Sequence, residues 1–171
     1  MEYKPTEFKF EIKADEQDAN TFSGYASIFG NLDRVGDIVL RGAFTKSLEE
    51  RRPKMLWQHD PNQVIGVFDE VREDEKGLFV MGRFAQTPKA QEVRELMLMG
   101  AIDSMSIGYV TKDYEYSHTN DRLLKEVILF EVSLVTFGAN ESAKVEQVKS
   151  AIDDMPEDIQ VLIMARNLLL S

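Results

Sequence analysis

Cysteine is absent from the 171 residues, so disulfides, thiolate zinc sites and cysteine nucleophiles are excluded together. Histidine is almost as scarce. Only His59 and His118 occur, leaving two imidazoles for any general-base chemistry near neutral pH. No apolar run approaches the roughly 18 residues of a membrane-spanning helix, and the opening "MEYKPTEFKF" lacks the basic-then-apolar layout of a signal peptide. No membrane partner is expected. The 20 Lys and Arg are outnumbered by 30 Asp and Glu and form no stripe, so at a net charge of -10 no nucleic-acid partner is expected either. Glycine-rich phosphate loops are missing, and "SIFGN" does not make one. A metal site from Asp37, His59 and Asp60 lacks any supporting ligand spacing, so no metal is expected.

What the chain does have, 43% hydrophobic residues, suffices for one compact domain. Strand-like pieces punctuated by turn residues run through it: "FKFEIKA" (8–14), "TFSGYASIF" (21–29), "DIVL" (37–40), "MLWQH" (55–59), "VIGVFDEV" (64–71) and "LFVMGRF" (78–84), then 104–116 and 123–136. The polar run "REDEKG" reads as a hairpin connection in which Gly77 supplies a positive φ. A short helix is expected from about Ala43, stopped before Pro53. A clearer one lies in "TPKAQEVRELMLMG", with Thr87 as cap, Pro88 at the first position, Ala90, Val93, Leu96 and Met97 on one face, and Gly100 past the end. After "FGAN", the spacing of Val145, Val148 and Ile152 predicts a helix capped by Asn140. The C-terminal stretch 153–171 predicts an amphipathic helix, with Ile159, Leu162, Ile163 and Leu169 on an apolar side that needs a partner surface. Many strands with few βαβ alternations indicate a mainly β chain, an antiparallel barrel or sandwich with peripheral helices.

Chemistry has few carriers. In "AIDSMSIGYV", alternation puts the Ser104 and Ser106 hydroxyls on one face of a strand, opposite Met105, Ile107 and Tyr109. That face is either a solvated sheet surface or a place for a nucleophile. His118 lies in the polar turn "YSHTND" and reads as an exposed loop residue. His59 ends "KMLWQH" beside Trp57, where an imidazole can exchange protons at working pH. Glu131 sits in the apolar "VILFEVSLVTF", and burying a carboxylate there costs several kcal/mol unless a donor or cation meets it. The alternative is a glutamate facing solvent from a one-sided sheet. Serine, histidine and glutamate are the types needed for a hydroxyl nucleophile, a general base and a carboxylate that orients the base.

The succession "FSGYASIFGNLDRVGDIVLRGAF", "LWQHDPNQVIG", "GAIDSMSIGYV" and "FEVSLVTFGANESA" resembles the prohead proteases of tailed bacteriophages and prophages over roughly residues 8–145. That family is distantly similar in fold to the herpesvirus assemblins, which implies an assemblin-like antiparallel β-barrel wrapped by helices. The protease domain would then span 1–152, with 153–171 as part of it or as an oligomerisation element. By motif, Ser106 of "MSIGY" becomes the nucleophile and His59 of "WQHD" the base. The third member of the assemblin triad is a second histidine; here Glu131 is the suitable group on the later strand. Ser104 becomes a neighbour shaping the pocket, and the oxyanion donors are expected in the loop holding Gly138, Ala139 and Asn140.

The resemblance further implies substrates: the phage major capsid protein, through its N-terminal scaffolding segment, and the protease itself. It implies self-association and action inside the procapsid in the host cytoplasm, with no cofactor. A non-enzymatic capsid-assembly module on the same fold, or an esterase-type hydrolase using the same three residues, remains the alternative.

Overall fold

The computed structural model describes residues 20–140 and 142–148. Within them the chain forms β1 (Thr21–Ile28), β2 (Asp37–Val39), α1 (Thr45–Glu50), β3 (Lys54–Trp57), β4 (Asp60–Glu73), β5 (Gly77–Phe84), α2 (Pro88–Leu98), β6 (Ser104–Tyr116), β7 (Arg122–Val135) and β8 (Val145–Val148). The strand expected at 8–14 and the helix expected over 153–171 lie outside the described residues.

All eight strands join one sheet in the order β2-β7-β3-β4-β5-β1-β8, with β6 along the other edge of β7. The sheet curls into a half-barrel, mostly antiparallel as the alternating patterns suggest. The exceptions are β2 and β3, which run parallel to β7. These two short strands occupy the two ends of one β7 edge, and the gap between them is filled from α1 and the turn before it. There the Val127 N–H donates to the Ala43 carbonyl and the Leu129 N–H to Ser47 Oγ, so no buried edge group is orphaned.

The inner face of the curl is the core, built on Phe22, Met55, Ile65, Leu78, Val80, Met105, Leu124, Leu129, Val132 and Leu134. Phe22 and Phe84 meet with ring centroids 5.2 Å apart. Helix α2 covers one opening with Ala90, Val93 and Met97, and it begins as its sequence predicts: Thr87 caps the Ala90 N–H and Pro88 occupies the first turn. Among the described residues no helix is long and apolar enough to cross a membrane.

Three local expectations are corrected. Within 142–148 no helix forms: residues Val145–Val148 make β8 against β1, because β1 offers an open edge. Gly24 lets the two backbones close up, since a Cβ there would lie 2.3 Å from the Lys144 carbonyl. Gly77 does not have the positive φ expected of it. A Cβ at Gly77 would meet the Ser27 carbonyl at 2.0 Å, so glycine is required for close strand approach. The turn itself is held by Asp74 Oδ1, which accepts from the Lys76 and Gly77 N–H groups. Finally, the strand expected to run through His59 stops at Trp57, because Gln58 and His59 both take positive φ, 53° and 60°.

The ends of the curl are tied beside Ser104. Ser104 and Lys144 form an isolated bridge, the Met105 N–H donates to the Ala143 carbonyl, and the Tyr25 N–H donates to the Lys144 carbonyl. Segment 143–145 thus bonds to both β6 and β1.

Candidate active site

Strands β6 and β7 pair antiparallel, with Ser106 opposite Ser133 and Gly108 opposite Glu131. The next pair is Tyr109 with Leu129, which leaves Phe130 as the extra residue of a β-bulge. The bulge reverses the alternation of β7. Before it, Val127 and Leu129 point into the core; after it, Val132 and Leu134 do. Without the extra residue, Glu131 would continue the inward row of Val127 and Leu129. With it, Glu131 and Ser133 share the outer face with Ser104 and Ser106.

That face is covered rather than solvated. Ser104, Ser106 and Ser133 are 6%, 7% and 0% exposed, and the Glu131 side chain is 12% exposed, so neither solvent-facing alternative holds.

His59 reaches the same face from β3, on the far side of β7. Trp57 pairs with Asp60 across a two-residue turn, and positive φ at both Gln58 and His59 is the backbone signature of a type I′ hairpin. Neither residue is the glycine or asparagine that such turns favour, so the conformation is strained and needs support. Support comes from β7: the Gln58 N–H donates to the Leu134 carbonyl (3.0 Å), Gln58 Nε2 to Thr136 Oγ1 (2.6 Å), and the His59 N–H to Ser133 Oγ (3.1 Å).

The imidazole is then held by its own hydrogen bond. His59 Nδ1 lies 2.6 Å from Glu131 Oε1, and Glu131 Oε2 accepts from Ser133 Oγ at 2.6 Å. Ser133 therefore joins the carboxylate to the histidine backbone. The hydrogen bond that His59 donates to Glu131 raises its pKa above the ordinary value, against the opposing pull of partial burial. Gly108 provides the room: a Cβ there would sit 2.1 Å from Glu131 Oε1. The sequence pattern places Ser133 on the face of Glu131 and Gly108 in the Ser106 motif, but assigns neither a role. Their signals are short, a serine two residues after Glu131 and a glycine interrupting the strand two residues after Ser106.

Ser106 lies across β7 from the histidine turn, on the face that His59 reaches, and no hydrogen bond joins its hydroxyl to the His59 ring. Ser104 differs. Its hydroxyl donates to Asp103 Oδ1 (2.7 Å) and accepts from Lys144 Nζ (2.9 Å), while Lys144 also pairs with Asp103 (2.8 Å). These donors hold the Asp103 carboxyl below its usual range, Lys144 first and Ser104 second. The loop residues named by resemblance are close by. Gly138 lies against the strand, where a Cβ would meet the Met105 carbonyl at 2.9 Å and Ser104 Cβ at 3.5 Å. Ala139 and Asn140 line one cavity with Ser106. Asn140 is buried and exchanges amide hydrogen bonds with Asn31 (2.8 and 3.0 Å), and the Ala139 carbonyl accepts from the Arg34 N–H. His118 is exposed at the distal tip of the β6–β7 hairpin, as its turn sequence indicates.

The curled sheet with few helices is the fold of assemblin-like proteases. The bacteriophage T4 capsid assembly protease, gp21, superposes with a TM-score of 0.57 at 10% identity, covering 67% of this chain and 80% of that one. The KSHV protease, solved with a hexapeptide phosphonate inhibitor, gives 0.51 at 12% identity over 85% and 74% of the two chains. Residues 8–158 match the model of the caudovirus prohead serine protease family, and the chain belongs to that family. It is 35% identical over 156 residues to the prohead protease of Enterobacteria phage HK97, covering 88% of this chain and 68% of that protein.

Proposed function

We propose that this member of the prohead protease family is a serine endopeptidase working through Ser106, His59 and Glu131. Its substrates are phage head proteins, first the scaffolding segment of the major capsid protein and then the chain itself. The carrying observation is the 2.6 Å bond from His59 Nδ1 to Glu131, formed on the same covered face as Ser106. With Nδ1 held by the carboxylate, the proton-accepting lone pair belongs to Nε2, the nitrogen left for a serine hydroxyl.

In the first step Ser106 Oγ attacks the scissile carbonyl carbon while its proton passes to His59 Nε2. Glu131 stabilises the imidazolium that forms. The tetrahedral oxyanion is received by backbone N–H groups of segment 138–140, which lies against β6 beside Ser106. Collapse breaks the C–N bond, and the imidazolium returns its proton to the leaving amine. Water then repeats the sequence on the acyl-enzyme with His59 as base. No step calls on a cofactor. The Ser106–His59 contact closes when substrate fills the site, since catalytic hydrogen bonds are commonly looser without it.

Self-association, and action within the procapsid in the host cytoplasm, complete the proposal: head proteins are concentrated there, and mass action favours contacts between copies. A serine-directed aryl phosphonate followed by peptide mapping tests the reading, together with co-expression of the capsid protein. Ser106 is expected to carry the label, and Ser106→Ala to lose both label and capsid cleavage. Turnover of small esters with an intact capsid protein would favour the esterase alternative. An unlabelled, inert but folded chain would favour the assembly module.

A further inference from the structure

Residues of β1, β6, loop 31–37 and segment 139–140 line a cavity of about 70 Å3, with Ser27, Asp33, Val39, Ser106, Ile107 and Asn140 on its walls. Most polar groups around it are occupied. Asn31 and Asn140 satisfy each other, and Asp37 is gripped by Arg122 through two bonds of 2.6 Å and by the Tyr109 hydroxyl at 2.6 Å. Burial opposes ionisation of Asp37, but the hydrogen bonds from Arg122 and Tyr109 outweigh it and hold the carboxyl below its usual range.

Apart from the Ser106 hydroxyl, Ser27 is the exception, and its unpaired oxygen is fully buried. The residue is 1% exposed, and its Oγ has no hydrogen-bond partner. A buried hydroxyl in that state costs about 1–3 kcal/mol, and such orphans in native structures call for an occupant. Asp33 adds charge: its Oδ1 accepts from the Val35 and Asp37 N–H groups and fixes the loop, and its carboxylate borders the cavity without a basic partner among the described residues.

We propose that this cavity is the subsite for the substrate side chain adjoining the scissile bond, and that it takes a linear side chain with a polar tip that is not negatively charged. The assignment rests on Ser106 being the nucleophile. Size sets the length: one water needs roughly 10–15 Å3 of such space, so the cavity holds about five to seven non-hydrogen atoms, enough for a linear side chain and at its limit for an aromatic ring with its stem. Val39 and Ile107 flank the apolar part of the side chain. Ser27 Oγ, able to donate or accept, meets its tip. Asp33 repels a carboxylate and tolerates an amide or a cation.

Aminoalkyl diphenyl phosphonates test this without knowledge of a cleavage site, because the probe carries the side chain itself. Ser106 Oγ displaces phenoxide from phosphorus, and the serine proton passes through His59. The rate of capture at Ser106 is compared for probes bearing alanine, methionine, glutamine, lysine, glutamate and phenylalanine side chains. Glutamine and lysine probes are expected to react at least about tenfold faster than glutamate or phenylalanine probes. Ser27→Ala is expected to narrow the advantage of glutamine over methionine severalfold, and Asp33→Asn, which keeps the Oδ1 acceptor, to speed the glutamate probe. Equal rates, or preference for glutamate or phenylalanine, would overturn the subsite while leaving Ser106 as nucleophile. Failure of every probe to label a folded chain would defeat the nucleophile and the subsite together.

Discussion

Ser104 and Ser106 stand two residues apart on one face of one strand, yet their surroundings have opposite character. Around Ser104 every group is engaged: the hydroxyl bonds both Asp103 and Lys144, and those two pair with each other where the ends of the sheet are tied. With Lys144 Nζ donating to both the hydroxyl and Asp103, and the hydroxyl donating to Asp103 in turn, this cluster is a clasp. Near Ser106 the order is reversed. The hydroxyl is left out of the hydrogen-bonded set while the histidine across β7 is fixed through side chain and backbone by Glu131 and Ser133. Proximity of a serine to polar neighbours therefore says little; what distinguishes a nucleophile from a clasp is whether its proton has somewhere to go.

Exchanging the roles of the two serines gives the sharpest test. Ser106→Ala is expected to lower capsid-protein cleavage by more than about 10³-fold, in line with loss of a serine nucleophile, with little change in melting temperature. Ser104→Ala is expected to keep most of the activity. Cleavage assays and thermal melts on the pair check this, and the reverse pattern would break the comparison.

Next in size is the support of the base. Glu131→Gln keeps a hydrogen bond to the ring but loses the charge that stabilises imidazolium. It is expected to slow turnover by about 10²–10⁴-fold, the upper figure being that of the analogous change in a well-known serine protease. Gly108→Ala probes the same link from the opposite strand. Its Cβ would strike the tip of the Glu131 side chain rather than backbone, so the fold is expected to persist while activity falls about tenfold or more. An NMR titration is expected to show the His59 pKa drop toward its ordinary value in both variants. With only two histidines in the chain, His118→Ala makes the assignment unambiguous.

The pH response follows from the same bond. Neutral imidazole is the form that accepts the serine proton, so cleavage is expected to rise with pH through a titration lying above the ordinary histidine value of 6.5. Stability runs the other way. Because the folded pKa is raised, the charged His59–Glu131 pair stabilises fully below pH 6.5, and that contribution fades as pH climbs through the folded pKa. Chemical denaturation at several pH values checks the second half. A His59 contribution that grew with pH would contradict the pairing.

The smallest effect belongs to the clasp. Lys144→Met removes an ion pair whose members are 45% and 60% exposed. Such pairs contribute about 1 kcal/mol or less, so a modest fall in melting temperature is expected with cleavage largely retained.

Part of the candidate site was legible in the chain, and for identifiable reasons. With no cysteine and two histidines there was little choice of candidate base, and a mostly apolar context marked Glu131 as a carboxylate in need of a partner. Its partner was not legible. His59 and Glu131 are 72 residues apart, and they meet because β3 runs parallel to β7 and stops at a strained two-residue turn, a conformation that the letters Gln-His do not advertise. Ser133 and Gly108 gained no role from the chain alone, because a serine and a glycine acquire meaning only from what lies opposite them.

Local pattern by itself determined the strand-rich class, helix α2 with its threonine cap and proline start, and the pairing of two serines on one face. These depend on alternation, capping and propensity, which act over a few residues. Tertiary structure decided the rest. Helical spacing lost to an open edge on β1 at Val145–Val148, and Gly77 serves a neighbouring strand rather than its own turn. One extra residue, Phe130, turned Glu131 out of the core row and onto the face where His59 arrives. A bulge, a register and a parallel pairing are set by backbone hydrogen bonds between distant segments, and no window of sequence contains both partners.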